Sequence, residues 1–422
     1  MDSQNGNGPD PQRGLGLGLR PLARTAHAMH AKRCLTVGLP ASKVEIDSSR
    51  LVLGFYCLGT LDLVDALEGV KEADREGWRA WLWEMQAHGQ HGTGFKPSTY
   101  MTPADKPAGA EYGEYDAPHL IMTYAALLSL AILRDDFARL DRPGLVRFLA
   151  ACQREDGSFS SVPGATDADL RLVYCAVAVA SMLADLGGID VRRAVAYIRR
   201  CRSYEGGYGQ EPRGEALGGT TYCALAALAL LEREDAGEAG AEDARLTERE
   251  RRATVRWLAR CQDGETGGFC GRTGKVADAC YCFWCGASME VRAPRFFFLA
   301  FFLPPGGKLT RPFFSRVFFF VGVCGGVQIL GAGAFVDADR NAAFLGECQF
   351  KFGGLAKVPG EHPDPYHTYL SLAVISLLPP RAPANAQGWA GLQPLDALLN
   401  AKRDTAEWAR KHIPAKPSFV IS

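Results

Sequence analysis

Between Gly267 and Met289 the chain reads GGFCGRTGKVADACYCFWCGASM. Two cations, Arg272 and Lys275, precede a carboxylate (Asp278), a thiol (Cys280) and a phenol (Tyr281). Cations beside a carboxylate–thiol pair suit a site that handles an anion next to a metal. Thiolate and carboxylate both bind zinc, but a catalytic zinc takes three protein ligands. A third donor must come from elsewhere. The final apolar segment, in FGGLAKVPGEHPDPYHTYLSLAVISLL, offers His367. Oxygen, sulfur and nitrogen donors with an open fourth position are the pattern of a catalytic zinc. A lone histidine is ordinarily a satisfied surface or core residue. His367 is favoured as a ligand because it begins a helix equivalent to the one that Asp278 and Cys280 begin.

That equivalence comes from a repeat. Amphipathic segments ending in a glycine-aromatic turn recur at WLWEMQAHGQHGTGF, FLAACQREDGSF, YIRRCRSYEGGYG, WLARCQDGETGGFCG and FLGECQFKFGGLAK. Each turn is followed by an apolar, small-residue helix, at 123–133, 173–183, 221–231, 280–290 and 368–378, with an earlier one of the same kind at 49–64. A helix apolar nearly all round must be buried on both faces, so these six form an inner layer and the amphipathic partners an outer one. The expected fold is all-α, a closed α/α toroid of six inner and six outer helices. All the turns fall at the same end of the repeat, so the starts of the inner helices converge on one mouth. In a closed ring the fifth and sixth inner helices are neighbours, which lets Asp278, Cys280 and His367 meet.

Composition narrows the remaining possibilities. The 422 residues carry 47 basic and 47 acidic side chains, so no bulk charge points to nucleic acid or a membrane surface. Thirteen cysteines, an odd count, and no apolar signal segment near the start suggest reduced thiols and a cytoplasmic protein. Residues 1–20 read as a disordered tail, 21–400 as the toroid and 401–422 as a C-terminal tail. One stretch breaks the pattern. The repeated cysteines Cys152, Cys201, Cys261 and Cys348 are spaced by 49, 60 and 87 residues, and the last step is too long. The excess lies at 291–328, which holds ten of the 22 phenylalanines and has no helical period. Its apolar runs are too short to span a bilayer. It reads as foreign sequence, such as an intron carried into translation, rather than as a membrane-contacting loop.

The motifs GRTGK, VADACYCFW and DPYHTY, with the GGYG, EDGSF and GGF turns, resemble the protein prenyltransferase β subunits over roughly 23–290 and 329–380. The resemblance implies that Asp278, Cys280 and His367 bind one zinc ion, which activates the cysteine thiol of a C-terminal CaaX motif. It implies that Arg272, Lys275 and Tyr281 contact the isoprenoid diphosphate, and that Arg171 and His119 lie near the peptide end of the cavity. It also implies a heterodimer with a helical-repeat α subunit, no nucleic acid and no stable membrane span.

Two positions distinguish branches of that family. Lys357 stands where the farnesyl branch carries an aspartate that helps hold magnesium. A lysine ammonium can occupy the place of that ion, which implies no magnesium requirement. Val52 stands where the farnesyl branch has a tryptophan capping the tail pocket, and a smaller residue leaves room for a longer chain. Both resemble the type I geranylgeranyl branch, with geranylgeranyl diphosphate as donor; a solvated lysine and a plain core valine are the bland alternatives. The farnesyl and Rab-modifying branches are the alternatives within the family. Outside it stand a non-catalytic helical scaffold, an inactive translation product and a terpene cyclase, although the chain carries no DxDD-type motif. One residue departs from the family pattern: Leu217, in GEALGG, replaces a histidine that donates to the diphosphate, and leucine has no donor. Weaker diphosphate binding or a compensating cation is expected.

Overall fold

The computed structural model describes residues 19–99, 116–234, 244–294, 326–328 and 330–414. Outer and inner helices alternate along the chain. Outer α1 (Arg24–Thr36) leads to inner α2 (Arg50–Leu63), then α3 (Glu72–Glu84) to α4 (Leu120–Ile132) and α5 (Arg142–Cys152) to α6 (Leu170–Leu183). The alternation continues with α7 (Val191–Arg200) and α8 (Gly218–Glu234), α9 (Glu248–Arg260) and α10 (Ala279–Glu290), and α11 (Ala338–Cys348) and α12 (Pro365–Leu377). Each inner helix packs on the next, and α12 closes onto α2. Every residue of α6 from Leu172 to Leu183 is buried, as an element covered on all sides must be. The outer helices are amphipathic: α7 buries Val191, Ala194, Val195, Tyr197 and Ile198 while its arginines face out. The ring is the expected toroid.

The Thr-Tyr pair repeated at the inner helices has two structural jobs. Thr123, Thr221 and Thr368 each accept, through Oγ1, the backbone N–H of the preceding turn (Phe95, Tyr208 and Leu355), all at 2.9 Å. This ties each turn to the helix that follows it. The outer layer closes at the last turn. Gly353 has φ +94° and lies so close to α1 that a Cβ there would fall 2.0 Å from the Ala26 carbonyl oxygen, so only glycine fits.

The tyrosines carry the second job. One turn into each inner helix stands an aromatic side chain: Phe55, Tyr124, Tyr174, Tyr222, Phe283 and Tyr369. From Tyr369 through Phe55 and round to Phe283, successive ring centroids are 5.2–6.0 Å apart. The segment Ala397–Asn400 crosses this belt, and its four successive carbonyls each accept a tyrosine hydroxyl. Tyr222 donates to Ala397 at 2.8 Å and Tyr174 to Leu398 at 2.9 Å. Tyr124 donates to Leu399 at 2.8 Å and Tyr369 to Asn400 at 2.6 Å. The belt and this segment form a floor.

The floor corrects the expected tail at 401–422. After α13 (Pro383–Trp389) the chain forms a short antiparallel ladder and then α14 (Arg403–His412), which packs on α4 and α6. Ala406, Ala409 and Ile413 are fully buried. Thr405 Oγ1 donates to Asp62 at 2.5 Å, and Arg410 pairs with Asp396 at 2.7 Å, both largely buried. The helix reads as polar because only a narrow stripe of it is apolar. Residues 1–18 and 415–422 lie outside the described residues. So do residues 295–325 of the phenylalanine-rich segment. The ends of that segment meet: Arg292–Pro294 pairs antiparallel with Gly326–Gln328, and Ala332 N–H donates to the Met289 carbonyl at 2.8 Å. Among the described residues no helix is long and apolar enough to cross a membrane.

Candidate active site

The mouth of the ring is built from helix starts. Asp278 precedes α10, and its Oδ1 accepts the Cys280 N–H at 2.9 Å. Asp364 does the same for α12, accepting the His367 N–H at 2.9 Å. A carboxylate cap satisfies an orphan N–H and is favoured by the helix dipole. The two caps therefore orient the residues beside them. Asp364 also holds the imidazole: its Oδ2 lies 2.6 Å from His367 Nδ1, which leaves Nε2 3.4 Å from Asp278 Oδ1. One ligand atom each from Asp278, Cys280 and His367 all lie within 4.8 Å of one another. Asp364 is an unexpected fourth member of the site, although Asp-Pro with a histidine three residues after the Asp is a helix-start signal visible in the sequence.

Each group is perturbed. Burial raises the Cys280 thiol to about 11, with His367 opposing part of the shift. Burial would lower His367, but hydrogen bonds to Asp278, Asp364 and Cys280 outweigh it and raise the imidazole to about 11. Burial would likewise raise Asp278, yet His367 and the Cys280 N–H hold it below the usual carboxylate value. Two acids and a thiol crowded onto one imidazole fit a divalent cation. The histidine is braced through its other nitrogen by a carboxylate, the usual outer-shell partner of a zinc-bound imidazole.

Tyr281 stands beside the trio with its ring against Gly271. A Cβ there would fall 2.2 Å from the Tyr281 Cζ, so glycine is needed for the ring to reach the mouth. Burial pushes the phenol up to about 12, which keeps it a donor at neutral pH. Arg272 pairs with Glu215 of the GEALGG turn at 2.7 Å, an interaction the sequence reading did not foresee. Both partners are well exposed, so the pair is worth ~0–1 kcal/mol and releases readily to another anion. Lys275 is exposed on the same loop. Lys357 reaches in from the last turn, its Nζ 4.0 Å from Asp278 Oδ2 and its carbonyl accepting the Ala279 N–H at 2.8 Å.

The other expected residues lie on the inner helices rather than at the trio. Arg171 is bound to Asp169, 2.5 Å away, with its side chain 59% exposed. His119 caps α4 by accepting the Ile121 N–H at 3.2 Å, and burial lowers its imidazole to about 4, so it is neutral. Val52 is half-buried one turn before Tyr56. Three aromatics not singled out from sequence stand together on inner helices α2, α10 and α12. Trp284 donates to the Tyr366 hydroxyl at 2.9 Å, and the Tyr366 and Tyr56 rings lie 5.3 Å apart. All three are half-buried on helices shielded from outside by the outer layer.

Sequence comparison fits this geometry. The profile described as the prenyltransferase alpha-alpha toroid domain matches residues 22–401. The chain belongs to the prenyltransferase α/α-toroid family. Within that family it is similar to β subunits. It is 29% identical over 353 residues to the geranylgeranyl transferase type-1 subunit beta of Arabidopsis thaliana, covering 81% of each chain. It is 36% identical over 265 residues to the protein of that name from Dictyostelium discoideum, covering 62% of this chain and 61% of the relative. The protein farnesyltransferase subunit beta of Schizosaccharomyces pombe is 30% identical over 280 residues, which cover 64% of this chain and 62% of that one. Among solved structures, Candida albicans protein geranylgeranyltransferase-I complexed with GGPP superposes with a TM-score of 0.71 at 22% identity, covering 93% of this chain and 100% of that one. That match bears on the fold.

Proposed function

We propose that this chain is the catalytic β subunit of a zinc-dependent protein geranylgeranyltransferase of type I. It acts in the cytoplasm with an α subunit and transfers geranylgeranyl from its diphosphate to the cysteine of C-terminal CaaX motifs. The observation that carries the reading is the convergence of Asp278, Cys280 and His367 within 4.8 Å at the mouth.

Asp278, Cys280 and His367 would hold the zinc, which when bound favours the thiolate form of a coordinated thiol near neutral pH. Arg272 leaves Glu215 to meet the diphosphate, with Lys275 beside it. Tyr281 donates a hydrogen bond from its phenol to the same oxygens as charge grows on the leaving group. Lys357 adds an ammonium on that side, where a divalent cation would otherwise be needed. Tyr56, Trp284 and Tyr366 give the isoprenoid an apolar wall and shield the reacting carbon from water. Val52, small at its position, leaves length for the extra five-carbon unit. No side-chain base is required.

The test is co-expression with an α subunit, followed by transfer assays with farnesyl and geranylgeranyl diphosphates on Leu- and Ser-ended CaaX peptides, with and without magnesium. Geranylgeranyl transfer to Leu-ended peptides without magnesium is expected. A farnesyl preference or strict magnesium dependence would overturn the type I assignment. Absence of zinc from an active enzyme would overturn the metal assignment.

A further inference from the structure

Away from the mouth, α1 and α2 bring a second thiol chemistry together. We propose that Cys34 and Cys57 are a peroxide-responsive thiol pair that reversibly staples outer helix α1 to inner helix α2. Of the described cysteines Cys34 is the one that is not buried; the other eleven are. One turn earlier on the same helix, His30 directs Nε2 at the Cys34 sulfur, 3.9 Å away. His30 is itself only 6% exposed, and its Nδ1 is buried with no hydrogen-bond partner. A buried imidazole with one nitrogen on a sulfur and the other unused has no structural bond to explain it. Cys57 comes from α2, 3% exposed, in the small apolar cluster against which Cys34 packs. Ala31, Leu61 and Val70 enclose Cys57 in apolar surface.

The electrostatics separate the two sulfurs into attacking and resolving partners. The hydrogen bond from Cys57 lowers the Cys34 thiol, burial opposes it, and His30 and Arg33 lower it further, to about 5. Cys57 is shifted the other way by the same hydrogen bond and by burial. Burial also raises Cys152, Cys175, Cys201, Cys223 and Cys348, all away from the mouth, so Cys34 is the thiolate among them at neutral pH.

The chemistry balances with hydrogen peroxide as the oxidant. The Cys34 thiolate attacks one peroxide oxygen, the O–O bond breaks, and the departing hydroxide takes up a proton as water. Sulfur is oxidised by two electrons to the sulfenic acid while peroxide is reduced. The Cys57 sulfur then attacks the Cys34 sulfur as it loses its proton. The S–O bond breaks, and hydroxide leaves with that proton as a second water. Bond formation brings the two sulfurs to ~2.05 Å. A dithiol returns both to the reduced state. Because His27 on α1 accepts the Gly354 N–H at 2.9 Å, the staple also fixes the helix against which the last turn is seated.

The experiment treats the full-length protein with stoichiometric hydrogen peroxide and maps each cysteine by mass spectrometry. Expected is a Cys34–Cys57 cross-link, removed by a dithiol and formed at least ~10-fold faster than any other described cysteine is oxidised. Cys57→Ala should instead accumulate the Cys34 sulfenic acid, trapped with dimedone. His30→Asn should slow its formation several-fold without changing which sulfur reacts. Cys34→Ser should abolish both products and leave zinc content unchanged. Prior oxidation of any other cysteine, or oxidation of Cys34 in the intact protein without a bond to Cys57, overturns the proposal.

Discussion

The mouth and the floor of the ring are made by the same six inner helices, less than two turns apart, and they differ in what the repeat preserves. The residues preceding four of these helices are His119, Asp169, Asp278 and Asp364, whose side chains cap, while Leu217 precedes a fifth. Three of the carboxylates make three different attachments: Asp169 to Arg171, Asp278 to His367, and Asp364 to the other side of His367. Five residues further on, each of these five helices presents an aromatic ring, with Phe55 of α2 alongside, and four of the rings make one and the same bond to successive carbonyls. Repetition builds the floor; departures from repetition build the mouth. Substitutions should therefore separate cleanly, with chemistry lost at one level and stability at the other.

The largest separation is expected at the metal trio. Cys280→Ala or His367→Ala should remove bound zinc and lower transfer at least ~10³-fold, because each deletes one of the three proposed ligands. Thermal unfolding of the metal-free proteins should move little, since the backbone caps by Asp278 and Asp364 remain. Metal analysis beside single-turnover assays checks both halves. Retained activity without zinc would break the comparison at its strongest point.

At the floor the pattern should reverse. Tyr222→Phe, Tyr174→Phe and Tyr124→Phe each strand one carbonyl of the crossing segment, at a cost of about 1 kcal/mol apiece, while zinc content stays constant. Denaturant melts of the single and triple variants measure this. The triple variant tests whether the bonds act as one network, in which case its loss exceeds the sum.

A smaller effect is expected in acid. Burial would raise the Asp396 carboxyl, but Arg410 and the N–H groups of Leu398 and Leu399 outweigh it and hold the group below its usual value. The folded value thus lies below the unfolded one of ~3.9, so its stabilisation is complete above about pH 4 and is lost as pH falls through the folded value. Unfolding midpoints should decline below about pH 4, and Asp396→Asn should flatten that decline while leaving the neutral-pH metal site intact.

The two levels also differ in how far they could be read from sequence. Asp278, Cys280 and His367 carry their chemistry in their side chains, and the repeat supplied the adjacency of their helices. The floor hid its partner. The recurring tyrosines were visible, but they bind backbone carbonyls of Ala397–Asn400, and a carbonyl leaves no mark on the residue that bears it. Helix α14 was hidden by its narrow apolar stripe. Glu215 escaped notice because a loop carboxylate 57 residues from its arginine in sequence has no local spacing to betray the pair.

The finest distinction concerns Leu217, the one inner-helix start at the mouth with neither a cap nor a donor. His119, at the equivalent position of α4, shows what a histidine can do there: Nδ1 accepts the N–H two residues on, which leaves Nε2 free to project. Leu217→His can adopt the same arrangement on α8, where the Leu217 backbone N–H is already held by the Tyr208 carbonyl at 3.1 Å. The new Nε2–H would face the diphosphate oxygens that we propose Arg272 and Tyr281 address. A hydrogen bond to a charged group contributes roughly 1.5–3 kcal/mol, so affinity for the isoprenoid diphosphate should rise about 10-fold in equilibrium binding. The capping bond should raise the unfolding midpoint as well. Tighter binding without added stability would mean that the imidazole donates but does not cap. Added stability with unchanged affinity would mean that the diphosphate lies beyond its reach, and that Arg272, Lys275, Tyr281 and Lys357 form the complete anion site.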